Sequence, residues 1–339
     1  MPDADPHAEP KAPGDIELKK APQEPLAPSS DGQSGDGAAG GGLEGMIDLP
    51  VVKNQNKNRR GQRPEWLRVK LPYGETYKNV LDTVEEHDLH TVCQSAQCPN
   101  MGECWSKGTA TFMILGDVCT RSCGFCAVKT GRPEEAGLDW DEPRRVAKAA
   151  AKMDLSHAVI TSVNRDERED GGAPIFAEVI RKIREKQPGC TVEVLTPDFR
   201  GIESAIETVF EAEPDLFNHN VETVPRLYRR VRPQADYERS LRVLEMAKDA
   251  GLRTKSGIMV GLGEERDEVL QIMDDFVEIG LDVMTIGQYL QPSEMHLPVE
   301  SFVPPEIFDW YKEVGEDKGL DHVESSPLTR SSYHAEEHV

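Results

Sequence analysis

The chain has 339 residues, 61 Asp and Glu against 39 Lys and Arg, and a formal charge of −22. That length suits one sizeable α/β domain with extensions, and that charge argues against general nucleic-acid affinity, because phosphate binding needs a basic face. No run approaches the roughly 18 apolar residues of a membrane span, and the acidic N-terminus fits neither a secretory signal nor a transit peptide, so the expected compartment is cytoplasmic.

Residues 1–45 are rich in Pro, Gly, Ala, Ser and Asp and end in DGQSGDGAAGGG. Such a segment buries too little apolar surface to offset its ordering entropy, and it is expected to be disordered. Residues 46–110 form an N-terminal extension. A short helix is expected over 75–89, with Val80, Leu81 and Val84 on one face. Lys53 to Lys78 form one basic cluster and Arg226, Arg229, Arg230 and Arg232 a second; either could meet an acidic protein partner, and either could be ordinary solvated charge.

From residue 111 the pattern alternates between two periods. Strands are expected over 111–116, 157–163, 191–195, 215–219, 254–260 and 282–287, and helices over 142–153, 174–186, 201–212, 237–250, 264–279 and 305–318. Strands alternating with helices at this spacing indicate βαβ units and a parallel sheet. Six units are too few for a closed eight-stranded barrel and suit an open, partial (βα)6 barrel over 111–318. Residues 319–339 read as a C-terminal tail. Ligand loops in such folds lie at the C-terminal ends of the strands.

Six of the seven cysteines fall between positions 93 and 126. A reducing compartment and an odd count argue against a disulfide framework, and the crowding asks for a metal. Cys119, Cys123 and Cys126 stand in CTRSCGFC, just after the first strand. Three thiolates can hold three corners of a cubane iron–sulfur cluster whose usual complement is four, which leaves one iron open for chemistry. Zinc is the competing reading, but zinc sites favour paired C-x2–4-C elements with four ligands. This loop, in this place, resembles the signature of the radical S-adenosylmethionine enzymes. The resemblance implies that S-adenosylmethionine chelates the open iron and, on reduction, yields a radical that abstracts hydrogen. Phe125 matches the aromatic such enzymes carry between the last two cysteines.

Cys93, Cys98 and Cys104, in CQSAQCPNMGEC, make a second triplet able to ligate another cluster. Cys190, the remaining cysteine, reads as a small buried apolar residue at the start of a strand. The order C-x4-C-x5-C, C-x3-C-x2-C and then Arg330-Ser331-Ser332-Tyr333 is similar to that of the lipoyl synthases. Other matching stretches run from about Pro64 to Ala335, among them WLRVKLP, TSVNRDE, VEVLTPDF, NHNVETVPRLYRRVR and TIGQYLQPS. Asp166-Glu167 departs from the commoner Asp-Asp. The resemblance implies two [4Fe–4S] clusters and makes Ser332 the fourth ligand of the second, auxiliary one. An alkoxide oxygen is a harder ligand than thiolate, so it would mark a weak point in a cluster that must open. Arg330 and Tyr333 would position the tail or the substrate.

Position in the fold nominates Asn164 and Glu193 for hydrogen bonds to S-adenosylmethionine, against a purely structural reading of each. Gly261-x-Gly263 reads as a tight strand-to-helix turn, and His219 and His296 as satisfied core or loop histidines. The implied reaction inserts two sulfur atoms, at C6 and C8, into an octanoyl chain amide-linked to a carrier lysine, with the auxiliary cluster as donor. The implied partners are octanoylated carrier domains (2-oxoacid dehydrogenase E2 and the glycine cleavage H protein), an external electron donor, and iron–sulfur assembly or carrier proteins. Neither nucleic acid nor a membrane is among them. A methylthiotransferase, a biotin-synthase-like sulfur inserter and a non-enzymatic electron carrier are the alternatives. An RNA-directed methylthiotransferase should carry a basic domain, and none is visible after residue 290.

Overall fold

A computed structural model describes residues 63–68, 75–95, 98, 100–133 and 138–339, with the backbone of Val52 and Lys53; the tail expected over 1–45 lies outside them. Eight strands form the main sheet in the order of the chain. They are β1 (His90–Thr91), β2 (Thr109–Ile114), β3 (His157–Ser162), β4 (Thr191–Leu195), β5 (Leu216–Asn218), β6 (Thr254–Val260), β7 (Val283–Gln288) and β8 (His322–Ser326). β1 runs antiparallel to β2, and every later pairing from β2 to β8 is parallel. The longer helices are α1 (Glu75–Glu86) and α2 (Met101–Ser106) in the extension, then α3 (Glu142–Lys152), α4 (Ala173–Lys186), α5 (Glu203–Phe210), α6 (Tyr237–Asp249), α7 (Arg266–Glu278) and α8 (Pro305–Lys318). None of the described helices is long and apolar enough to cross a membrane.

The boundaries follow local chemistry. β4 and β6 match their expected spans, while β2 sits two residues earlier because Leu115 and Gly116 take left-handed backbone (φ 69° and 91°) and end the strand. α5 starts two residues late, since Phe199–Gly201 makes a separate 3-10 turn and Ile202 is extended. α7 opens on a capping box between Glu265 and Glu268, and α8 stops at Gly319, whose φ of 119° no ordinary side chain tolerates. The sheet has one parallel strand more than the six expected: β8 lies in the segment read as a tail. Its sequence, HVESS, lacks the apolar run of a strand buried on both faces.

Strand register decides which side chains face inward. Thr111 pairs with Val159 and Val159 with Glu193, Leu195 with Asn218, Asn218 with Lys255, and Thr285 with Glu324. These residues share the concave face, and the alternate set (Phe112, Ile160, Val192, Val194, Phe217) joins the apolar core beneath the helices. Glu193, expected to face S-adenosylmethionine, is employed differently. Its Oε2 accepts from Lys255 Nζ at 3.0 Å and lies 3.7 Å from His157 Nε2, while Oε1 accepts from Asn218 at 2.7 Å. Glu193 and Lys255 are both fully buried, and both carboxylate oxygens are already taken. Burial alone would raise the Glu193 carboxyl; Lys255, His157 and Asn218 outweigh it and hold the group at about 2.

Glu193→Gln should therefore cost about 3–5 kcal/mol, because it leaves the Lys255 charge buried without a counterion. In the unaltered protein the depressed carboxyl contributes stability that is fully present above its ordinary value of 4.5 and is lost as pH falls towards about 2. Denaturant unfolding of both proteins across that range measures the difference, and the gap between them should narrow as the acid limit is approached.

Candidate iron–sulfur and S-adenosylmethionine site

The first cysteine triplet lies just beyond the C-terminal end of β2. Two short parallel strands, Val118–Cys119 and Lys129–Thr130, pinch its loop closed, and Gly131 N–H donates to the Cys119 carbonyl at 2.9 Å. The Cys119 sulfur accepts backbone N–H bonds from Arg121 (3.4 Å) and Asn164 (3.3 Å). Gly124 donates to Val231 O at 2.8 Å and accepts from Leu297 N at 2.9 Å; a Cβ there would stand 2.8 Å from the Leu297 side chain, so the close approach requires glycine. His296 Nε2 donates to Cys126 O at 2.9 Å and its Nδ1 meets Ser293. It braces the loop. His219 is likewise satisfied, by Thr196 O and Ser240, and Gly261 and Gly263, at φ 99° and 108°, make the turn before α7.

Sequence reasoning missed the clamp beneath this loop. Buried Arg121 donates to both oxygens of Asp166 (2.7 and 2.9 Å) and to Asp198 Oδ1 (2.6 Å), and Arg239 reaches Asp198 Oδ2 at 2.8 Å. Asp166 follows β3 and Asp198 follows β4, so one guanidinium ties the cysteine loop to two neighbouring strand ends. Burial opposes ionisation of Asp198, yet Arg121 holds its carboxyl well below the usual carboxylate range. The only signal available in the sequence was that Arg121 lies inside CTRSCGFC.

Burial pushes the Cys123 thiol to about 12 and the Cys126 thiol to about 11, and the neighbouring sulfurs push in the same direction. Such thiols ionise when iron binds them. Phe125 is half-buried between them. The amide oxygens of Asn164 and Asn220 are buried without a hydrogen-bond partner, and Asn220 belongs to the same loop as Glu222, which acts electrostatically on Cys123 and Cys126. Burial raises the Glu222 carboxyl, with Arg232 opposing. Such unpartnered buried acceptors suit a ligand that brings N–H and O–H donors. Much of the second basic cluster is internally paired: Arg226 with Glu268, Arg230 with Glu300, and buried Arg232 with Asn220 O.

The second triplet flanks the same strand. Thr111 on β2 opposes the upward push on the Cys93 thiol, Cys98 N–H donates to Cys93 O at 2.9 Å, and Cys104 senses the charges of both Cys93 and Cys98. Burial drives Cys93 and Cys104 to about 12. Among the described residues, neither triplet gathers its sulfurs within the 4.8 Å that marks a group able to grip a single ion. A spread of that kind suits a multi-iron cluster.

The C-terminal segment returns to this triplet. Asn100 donates to Leu328 O at 2.7 Å, and Tyr333 and His334 both contact the Glu103 carboxylate at 3.4 Å. Half-buried Ser332 is thus bracketed by contacts to the helix that carries Cys104. Ser331 Oγ accepts from Asn220 at 2.6 Å, and Arg330 acts electrostatically on Cys98. Cys190 is buried immediately before β4 and away from both triplets in sequence.

Arg121→Met removes the clamp while keeping a long apolar stem. The variant should retain the cluster at Cys93, Cys98 and Cys104 and lose most of the one at Cys119, Cys123 and Cys126. Anaerobic reconstitution followed by iron and sulfide analysis measures this as the loss of one cluster's worth of iron.

Comparison with known proteins agrees with this geometry. The profile of the Radical SAM superfamily matches residues 113–276, and that of the N-terminal domain of lipoyl synthase of the Radical_SAM family matches residues 47–98. The lipoyl synthase of Rubrobacter xylanophilus is 60% identical over 285 residues, covering 84% of this chain and 88% of the relative. That of Christiangramia forsetii is 55% identical over 294 residues, covering 86% of this chain and 100% of the relative. The crystal structure of Streptococcus suis SuiB bound to S-adenosylmethionine has a TM-score of 0.51 at 11% identity, covering 76% of this chain and 58% of that one; this likeness shows the fold alone. With a partial barrel, two cysteine triplets and this extent of identity, the chain belongs to the lipoyl synthase family of radical S-adenosylmethionine enzymes.

Proposed function

We propose that this lipoyl synthase family member inserts sulfur at C6 and C8 of an octanoyl group held on a carrier lysine. The carriers would be the lipoyl domains of 2-oxoacid dehydrogenase E2 and the glycine cleavage H protein, in the cytoplasm. A separate electron donor and iron–sulfur assembly proteins would serve the enzyme. One observation carries the reading: β2 leads into the first triplet at its C-terminal end and pairs with β1, which runs directly into the helical turn carrying Cys93, so both sites flank one sheet edge.

Cys119, Cys123 and Cys126 would hold the first [4Fe–4S] cluster and leave one iron open. Cys93, Cys98, Cys104 and Ser332 would hold the auxiliary one. When bound, the clusters and S-adenosylmethionine supply hydrogen abstraction and sulfur, chemistry that unactivated C–H bonds require and amino-acid side chains lack. The chain's own residues position and shield. The amide oxygens of Asn164 and Asn220 accept from the cofactor's donors, and Phe125 covers the cysteine loop. Glu193 is withdrawn from this role by its ion pair with Lys255. Arg330, whose guanidinium donates to Thr329 O at 2.6 Å, offsets thiolate charge at Cys98. Tyr333 stacks on His334 at 3.9 Å and fastens the tail to Glu103.

Reduced, reconstituted protein should convert an octanoyl-lysyl peptide through a monothiolated intermediate to the dithiolated product, followed by mass spectrometry. Cleavage of S-adenosylmethionine with no sulfur gained by the peptide would refute the substrate assignment. Ser332→Ala should still cleave S-adenosylmethionine yet give no dithiolated peptide. Full product from that variant would remove Ser332 from the auxiliary site.

A further inference from the structure

β8 alternates strictly. Val323 and Ser325 turn towards α8, where Ser325 Oγ donates to Phe308 O at 2.8 Å, so His322 and Glu324 project together from the opposite face. The chain then passes through Ser332 and a single 3-10 turn, Ala335–Glu337, and delivers His338 to the same place. His338 is 1% exposed. Its backbone is pinned by Arg253 Nε, which donates to His338 O at 2.6 Å, and the preceding turn by Thr109 Oγ1, which donates to Glu336 at 2.9 Å. Both ring nitrogens of His338, and Nε2 of His322, are buried without a hydrogen-bond partner. Buried polar groups in native proteins are nearly always satisfied, so three such nitrogens together require an occupant.

The geometry supplies one. His322, Glu324 and His338 each offer a ligand atom, and these three atoms lie within 4.8 Å of one another. His322 Nε2 is 3.7 Å from Glu324 Oε2, and the two imidazole rings are 5.0 Å apart at 46°. Lys255 does not repel a cation strongly, because Glu193 neutralises it at 3.0 Å.

We propose that His322, Glu324 and His338 bind a divalent transition-metal cation, with zinc the best fit. Two histidines and one glutamate form a known zinc donor set that leaves a fourth position for water, and zinc outranks ferrous iron at such sites in intrinsic affinity. His334 Nδ1, 3.9 Å from Glu324 Oε2, stands ready as an outer partner. The ion would staple the segment carrying Ser332 to the last strand of the sheet. Its binding needs neither S-adenosylmethionine nor substrate, so the site stands or falls apart from the sulfur-insertion reading.

The test uses the full chain with both clusters loaded, given one equivalent of zinc chloride anaerobically and then desalted. The expected result is about one zinc retained per chain at unchanged iron content, with X-ray absorption showing only nitrogen and oxygen ligands near 2.0–2.1 Å. His338→Ala and the size-conserving Glu324→Gln should each weaken zinc affinity at least the roughly tenfold that even outer-shell changes cost. No retained zinc, zinc held equally by both variants, or sulfur at about 2.3 Å in the absorption spectrum would each overturn the assignment.

Discussion

The backbone of Thr329 can reach the sheet only because residue 287 has no side chain. A Cβ on Gly287 would overlap the Thr329 carbonyl oxygen and crowd Arg330. β7 therefore presents a bare stretch of backbone, and the C-terminal segment lies against it. From that one approach the remaining contacts follow in sequence order: Ser331 meets Asn220, and Tyr333 and His334 meet Glu103. Ser332 is placed by the residues on either side of it. The ligand set proposed for the auxiliary cluster would thus be completed through a steric allowance on a strand remote in sequence from its cysteines.

Two buried ionic networks divide the labour within the sheet. Arg121, Asp166, Asp198 and Arg239 lie at the C-terminal ends of the strands and hold the cysteine loop. Glu193, Lys255, His157 and Asn218 lie deeper in the concave face. Buried ion pairs are weak contributors to net stability, because desolvation consumes most of the Coulombic gain. Their value here is geometric. In the second network each charge has a fixed partner on another strand, and a shift of register by one residue would leave it unpaired on the wrong face.

The alternation of periods made six strands and their helices legible, because parallel strands buried on both sides are continuous apolar runs and the intervening helices are amphipathic. β8 escaped because its inward residues are His322, Glu324 and Ser326, which read as a polar tail. The two cysteine triplets were legible because thiolates at short spacing carry their chemistry in the residue type. Arg121 was not. An arginine in a loop is ordinarily solvated, and only the fold shows Asp166 and Asp198 arriving from separate strands to meet it. Glu193 is the opposite case: a carboxylate on the third expected strand suggested a cofactor contact, and nothing in the sequence indicated that Lys255 would pair with it.

The two cysteine sites differ in how their residues are assembled. Cys119, Cys123 and Cys126 sit in one loop that follows β2 and is braced from later in the chain by Val231, His296 and Leu297. The auxiliary site needs contacts between residues 228 apart in the chain, such as Asn100 with Leu328. Closing so long a loop carries a larger entropic cost, offset only once the intervening strands are paired. The first site draws on contacts out to Leu297, whereas the second, with Ser332 in it, would further require Gly287 bare and the C-terminal segment docked. On that proposal Ser332 would be the ligand that depends on the most distant contacts and, as an oxygen among sulfurs, the easiest to release. For a cluster that must give up sulfur and be rebuilt, a serine held by its neighbours' hydrogen bonds would allow the cage to open while the three cysteines remain fixed.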